Sequence, residues 1–336
     1  LRLYFTILMA ALINAGCDDA GVDDISWPSG HQAVFVICAG NYGTQNASLS
    51  VLDTLEYDTT FVDVFRPVNG RKLGSAASHL LIKDSLGFIC VTGSNRVEVI
   101  HVRSFKSVRT ITGIQTPRQS AAYGQNLFIT SYTDSLVYIA SVLSGMKETT
   151  VKIPFRPNEI QIVDGKAFLS CGPMDNDTMI GIIDIAGGNA VRTLAVGQRP
   201  AALAADTTHH RLIVACTGIQ RDSGCIVLVN TLTEKAEHRI GQFENIQPVK
   251  VSAFDSLVAC IVSDNGPVRI YNLNTFAYIP VHSGSSYAAI GFEKGELFAA
   301  EGGDFVTSGR LIRFTANYSV KKTYKVGVAP AAIVFQ

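Results

Sequence analysis

Basic residues recur along the chain at Arg71 and Lys72, Arg118, Arg156, Arg199 and Lys250. The last four stand beside prolines of similar context: "TPRQS", "FRPNE", "GQRPA" and "QPVKV". Brought to one rim over low-dielectric walls, such charges would focus a positive potential and draw anions. Guanidinium groups also match carboxylate or phosphate with paired hydrogen bonds. Nearby variable stretches carry Tyr42, Tyr132, Arg221, Tyr287 and Phe305, and such side chains often anchor interfaces. The candidate ligand-binding set is therefore Arg118, Arg156, Arg199, Lys250, Tyr42, Tyr132, Arg221 and Tyr287. The alternative is ordinary solvated loop charge, offset by Asp175, Asp177, Asp222, Asp264 and Asp304, with the aromatics packed inside loops.

Other chemistry is thin. No GxSxG, HExxH, P-loop or GxGxxG stretch occurs. His209 and His210 are adjacent on a polar turn with no third ligand nearby in sequence, which reads as a solvated turn. "MDNDT" (174–178) clusters acids but lacks the spacing and glycine of a calcium loop. No metal and no cofactor is expected. Equal numbers of basic and acidic residues, 28 each, argue against a general nucleic-acid binder.

The elements that must position these residues repeat. From Pro117 to Pro157 is 40 residues, to Pro200 a further 43, to Pro248 a further 48, and to Pro330 a further 82. "HSGSSYAAI" fills the gap in the last interval, and "KLGSAASHL" precedes the first, giving seven junctions. Each unit runs from a short apolar strand through a polar turn into a strand rich in Val, Ile, Phe and Cys ("LIVACTG", "LFITSYT"). A variable loop leads to a third strand ("GIIDIA", "CIVLVNT") and then a fourth ("AVRTLAV"). Short β-forming runs bounded by Gly, Asn, Asp and Pro, without helical periodicity, predict an all-β chain. Four antiparallel strands per unit of roughly 40 residues predict a β-propeller. "AVFVICAG" matches a second strand without a first, and "AAIVFQ" matches a first strand without a second. Joined, they make one blade, so seven blades close as a ring over residues 33–336. A linear β-solenoid would leave these complementary halves unexplained.

The third-strand stretches "SVLDT", "IIDIA", "VLVNTLT" and "IYNLNT", with junctions such as "VGQRP" and "VGVAP", resemble YncE-like, or YVTN-type, seven-bladed propellers. Asp53, Asp184, Asn230 and Asn272 in those stretches are expected to cap local turns, not to do catalysis. In a propeller the fourth-to-first and second-to-third loops share one face around the channel mouth. The basic junction residues and the long loops "GNYGTQNA", "GPMDNDT", "GIQRDS" and "GGDFVTS" are thus expected together there, where binding tends to reside.

Residues 1–16, "LRLYFTILMAALINAG", combine Arg2, an apolar run and small residues before Cys17. This suits a secretory signal and resembles a bacterial lipobox, with Asn14 departing from its usual leucine. Cys17 is the expected lipidation site, giving a partner in the lipid bilayer. Residues 17–32 read as an acidic tether, and acids after the lipidated cysteine resemble the surface-export signal of Bacteroidota lipoproteins. An ordinary secretory signal is the alternative. The expected location is exported and lipid-anchored to the outer membrane, at the cell surface or its periplasmic face. The remaining cysteines sit mostly in apolar runs and read as buried hydrophobes. Cys216 and Cys225 flank a hairpin loop, and an oxidising compartment would permit a disulfide there.

Two functions follow as expectations. The first is a membrane-anchored binding module or scaffold acting through the loop-rich face. Some propeller lipoproteins of this resemblance capture corrinoids and pass them to an outer-membrane transporter, so a small anionic or corrinoid ligand and such a transporter are the implied partners. The second is a lactonase-like hydrolase with His79 and Glu159 on innermost strands, near Arg118, Arg156 and Arg199.

Overall fold

The computed structural model describes residues 33–55, 57–172, 175–219, 224–241, 246–281 and 286–336. Residues 1–32, and with them Cys17, and also Arg221 lie outside the described residues. The described strands form seven four-stranded antiparallel sheets. The chain is a seven-bladed β-propeller.

The innermost strands are, in ring order, Pro330–Phe335, Ala77–Lys83, Pro117–Tyr123, Pro157–Val163, Pro200–Asp206, Lys250–Phe254 and Ala289–Glu293. We number the blades 1 to 7 in that order. Blade 1 is the composite expected from the sequence: Val34 pairs with Phe335, Val36 with Ile333 and Cys38 with Pro330. The apolar strand Ala33–Cys38 is therefore not left as an open edge, which removes an aggregation hazard.

Burial peaks one strand out from the hub, and innermost strands such as Pro117–Tyr123 and Lys250–Phe254 are only half-buried. Second strands are sandwiched between neighbouring blades, so both faces are apolar; Leu212 to Cys216 are all buried. Outermost strands face water, and Lys147–Lys152 exposes all but Val151. Instead of one central core there are seven, one per seam between adjacent blades. Seams are also stitched by hydroxyls at the ends of second strands. Thr92, Thr130, Ser170 and Thr217 each donate to a junction carbonyl of the next blade, at Pro117, Asn158, Ala201 and Pro248.

The third-strand capping residues behave as expected. Asp53 accepts from the N–H of Leu55 at 2.9 Å, Asp184 from Gly187 at 2.9 Å, Asn230 from Leu232 at 3.0 Å and Asn272 from Asn274 at 2.8 Å. His209 and His210 are turn locks: their Nδ1 atoms lie 2.8 Å from Asp206 and 2.9 Å from Asp164. No His/Cys/Asp/Glu group of metal-holding geometry occurs among the described residues. Cys216 and Cys225 stand directly opposite each other in register, both as free thiols.

The blade 4–blade 5 seam carries an ionic clasp on its outer flank. Arg192 donates through Nε to Glu234 at 2.6 Å and also through Nη2, and Lys166 approaches Glu234 at 2.8 Å. These bonds, led by Arg192, hold the Glu234 carboxyl down to about 2 from its ordinary 4.5. A depressed carboxyl contributes stability above its unfolded value and loses it as pH falls through the folded one. Denaturant midpoints should therefore drop between about pH 4.5 and 2, and Glu234→Gln should flatten that part of the profile. An unchanged slope in the variant would count against the clasp.

Candidate functional site

The innermost strands enclose a hub cavity of about 500 Å³, within the size range of small-molecule sites. What gives it character is an irregularity repeated near the start of the innermost strands of blades 2 to 5. Register shifts interrupt the pairing between Ala77 and His79, Pro117 and Ser120, Pro157 and Ile160, and Pro200 and Ala202. Such a bulge leaves one backbone N–H without its ladder partner and lets consecutive side chains reach the same side.

The N–H groups of the bulged residues Gln119 and Glu159 turn to hydroxyls of their own blade, Thr130 and Ser170, at 3.0 Å each, and three N–H groups just beyond the bulges are capped by the neighbouring blade. Ser120 donates to His79 Nδ1 at 3.5 Å, Ile160 to Gln119 Oε1 at 2.6 Å and Leu203 to Glu159 Oε2 at 2.8 Å. The capping side chains occupy equivalent positions on blades 2, 3 and 4. On blades 5, 7 and 1 that position is Ala202, Ala289 and Ala332, and on blade 6 it is Lys250. With only a methyl on blade 5, Lys250 reaches across to Glu159 Oε1 at 3.0 Å.

The cavity is thus divided. One arc is polar, with His79, Arg118, Gln119, Glu159 and Lys250. The other is apolar, with Ala289, Ile290, Phe292, Ala332 and Ile333 among its lining. Arg118 donates through Nε to Asn158 Oδ1 at 3.0 Å, and Asn158 is fixed by donating to the Ala201 carbonyl at 3.1 Å. Burial in the hub, with the Lys250 charge, pushes His79 down to about 3, so its ring is neutral at physiological pH.

At the mouth, the Arg156 guanidinium lies 5.2 Å from the Tyr132 ring centroid and pairs with Asp175. The Tyr132 ring lies so close over Gly172 that a Cβ there would stand 2.3 Å from Cε2. Arg199, at φ 52°, donates to Asn176 Oδ1 at 3.1 and 2.9 Å. Junction and second-to-third loop thus meet on one face across blades 3 to 5. Tyr42 is 77% exposed and Phe305 57% exposed.

The expected set of cations accordingly separates. Arg118 and Lys250 line the hub, whereas Arg156 and Arg199 are held at the rim by Asp175 and Asn176. Arg71 turns away, 2.6 Å from Glu98 on a third strand and stacked on Phe65. Tyr287 corrects the expectation of a surface aromatic: it is 1% exposed, and its ring packs 6.3 Å from Phe314 in the blade 6–blade 7 seam. It takes the junction position filled by proline in blades 1 and 3 to 6. His79 and Glu159 do line the hub. Gln119 and Asn158 were missed; their adjacency to junction prolines was the available signal.

No protein-family model matches the chain, and neither does any curated protein. Many solved structures share the architecture. A quinonprotein alcohol dehydrogenase-like protein from Bacteroides thetaiotaomicron superposes with a TM-score of 0.71 at 14% identity, covering 90% of this chain and 78% of that one. The computationally designed Ika8 protein gives 0.62 at 13% identity, with 93% of each chain covered. Apo AztD from Citrobacter koseri gives 0.58 at 13% identity, covering 91% and 98%. At such identities the likeness is one of fold, and propellers host unrelated functions.

Proposed function

We propose that the protein is a binding module that takes a small molecule at the loop-rich mouth and the hub beneath it. The observation carrying this reading is the divided hub cavity of about 500 Å³, with a hydrogen-bonding arc facing an apolar one. Small-molecule sites typically combine an apolar lining with a few placed polar groups. The Arg156–Tyr132 stack and Arg199 give the rim above it a polar and aromatic edge. Residues 1–16 would direct export and Cys17 would carry the lipid anchor to the outer membrane. Corrinoid capture with hand-over to an outer-membrane transporter is the finer form of this reading, supported by the YncE-like resemblance of the repeats.

Binding is favoured over lactone hydrolysis because the residues proposed for acid/base work are otherwise engaged. His79 spends Nδ1 on the Ser120 N–H, and Glu159 spends one oxygen on Leu203 and the other on Lys250. The test is spectral titration of residues 33–336 with cobalamin and haem, alongside capture of partners from outer membranes. Saturable binding that is lost in an Arg118/Arg156/Arg199 triple-alanine protein is expected. Lactone turnover abolished by both His79→Ala and Glu159→Ala would overturn this reading.

A further inference from the structure

The capping bonds at the hub fix not only where the polar side chains lie but also which of their atoms face the cavity. An N–H can only be received by a lone pair. His79 Nδ1 receives Ser120, so its single proton at neutral pH sits on Nε2. Gln119 Oε1 receives Ile160, so its amide turns its NH₂ group the other way. Both Glu159 oxygens are engaged, by Leu203 and Lys250. Arg118 commits Nε to Asn158, and among the described residues its two terminal nitrogens make no hydrogen bond. Four side chains around one arc thereby offer donors: His79 Nε2–H, the Gln119 amide, the Arg118 guanidinium and the Lys250 ammonium. With two cations against Glu159, the arc keeps one positive charge in excess. One tier deeper the same logic recurs, since Ser252 Oγ receives the Phe292 N–H at 3.0 Å and is left with its hydroxyl proton. Gln161 is the amphoteric exception on that tier, and Glu293 lies at the far end of its strand.

We infer that the hub binds an organic carboxylate, its oxygens received by the donor arc of His79, Arg118, Gln119 and Lys250 and its hydrocarbon body lying on the apolar arc. This rests on the binding reading proposed above and specifies its ligand class. A neutral amide or alcohol brings its own donor to an arc whose side-chain lone pairs are already taken. An inorganic oxyanion satisfies the donors but leaves the Ile290, Phe292 and Ile333 side unfilled.

Octanoate, octanamide and inorganic phosphate distinguish these cases by calorimetric titration at low salt. Octanoate should bind saturably, with octanamide and phosphate each at least ~10-fold weaker, since one charge-assisted hydrogen bond is worth about that factor or more. Gln119→Glu keeps the oxygen that receives Ile160 but replaces the NH₂ with a second oxygen. It should leave the unliganded melting curve nearly unchanged and weaken octanoate by about 10- to 100-fold. Lys250→Gln, which removes the ammonium charge, should weaken it by about 10-fold. Equal binding of octanamide, equal binding of phosphate, or octanoate affinity indifferent to Gln119→Glu would each overturn the carboxylate inference. Absence of binding by all three probes overturns it too, and the binding reading is then decided separately by the cobalamin and haem titrations.

Discussion

A chain lacking residues 330–336 is expected to lose its cooperative thermal transition and to run as large aggregates on size exclusion. The deleted strand supplies the hub-facing quarter of blade 1, pairing along Val34 to Cys38. It also completes the blade 7–blade 1 core, where Ile333 is buried and the Phe335 ring packs at a tilt 5.7 Å from Phe298. Burying each large apolar side chain contributes roughly 1.5–3 kcal/mol, and whole domains are stable by only about 5–15 kcal/mol. The loss of one strand with its seam is therefore on the scale of the total. The uncovered edge of Ala33–Cys38 is apolar on both faces and would recruit other chains. A gentler version is Gly291→Val, because a Cβ at Gly291 would stand 2.7 Å from Phe335 and 2.8 Å from Ile333. Overpacking of that kind costs about 1–3 kcal/mol. A truncated chain that stays monomeric with a sharp melt would refute the closure as the source of stability.

At the hub, Glu159→Ala and Glu159→Gln should act in opposite ways. Alanine leaves the Leu203 N–H without an acceptor and Lys250 without its counter-ion. An unsatisfied buried donor costs about 1–3 kcal/mol, and the half-exposed Lys250 adds at most ~1 kcal/mol. Denaturant unfolding should show a loss of about 2 kcal/mol. Glutamine keeps an oxygen for Leu203 and removes the negative charge, so most stability should remain. The hub then gains a full positive charge, and octanoate affinity should rise about tenfold. If both variants are equally destabilised, or if glutamine weakens octanoate, the division of labour described for Glu159 is wrong.

The ring and its composite blade were legible because they follow from repeat spacing and alternating apolar runs, which depend on backbone periodicity. The caps at Asp53, Asp184, Asn230 and Asn272 were legible because their bonds are local, two or three residues long. Side-chain direction at the hub was not. A simple strand alternates faces, so it would send either Arg118 or Gln119 to the channel, but not both. The bulge after Pro117 breaks that alternation, and nothing in "TPRQS" marks it. Tyr287 was misjudged for a related reason: its place in the repeat is that of a junction proline, an inward position, while its residue type suggested a surface anchor. Arg71 was drawn off by Glu98, a carboxylate 27 residues away that its own junction does not reveal.

The composite blade also sets a timetable. Ala33–Cys38 is synthesised long before the segment that covers it, and at about 5–20 residues per second the delay is on the order of 15–60 s. Blades 2 to 7 can assemble from neighbouring hairpins during that wait, whereas blade 1 cannot. Until translation reaches Phe335 the polypeptide is an unclosed arc, with an adhesive leading edge that the cell must shield.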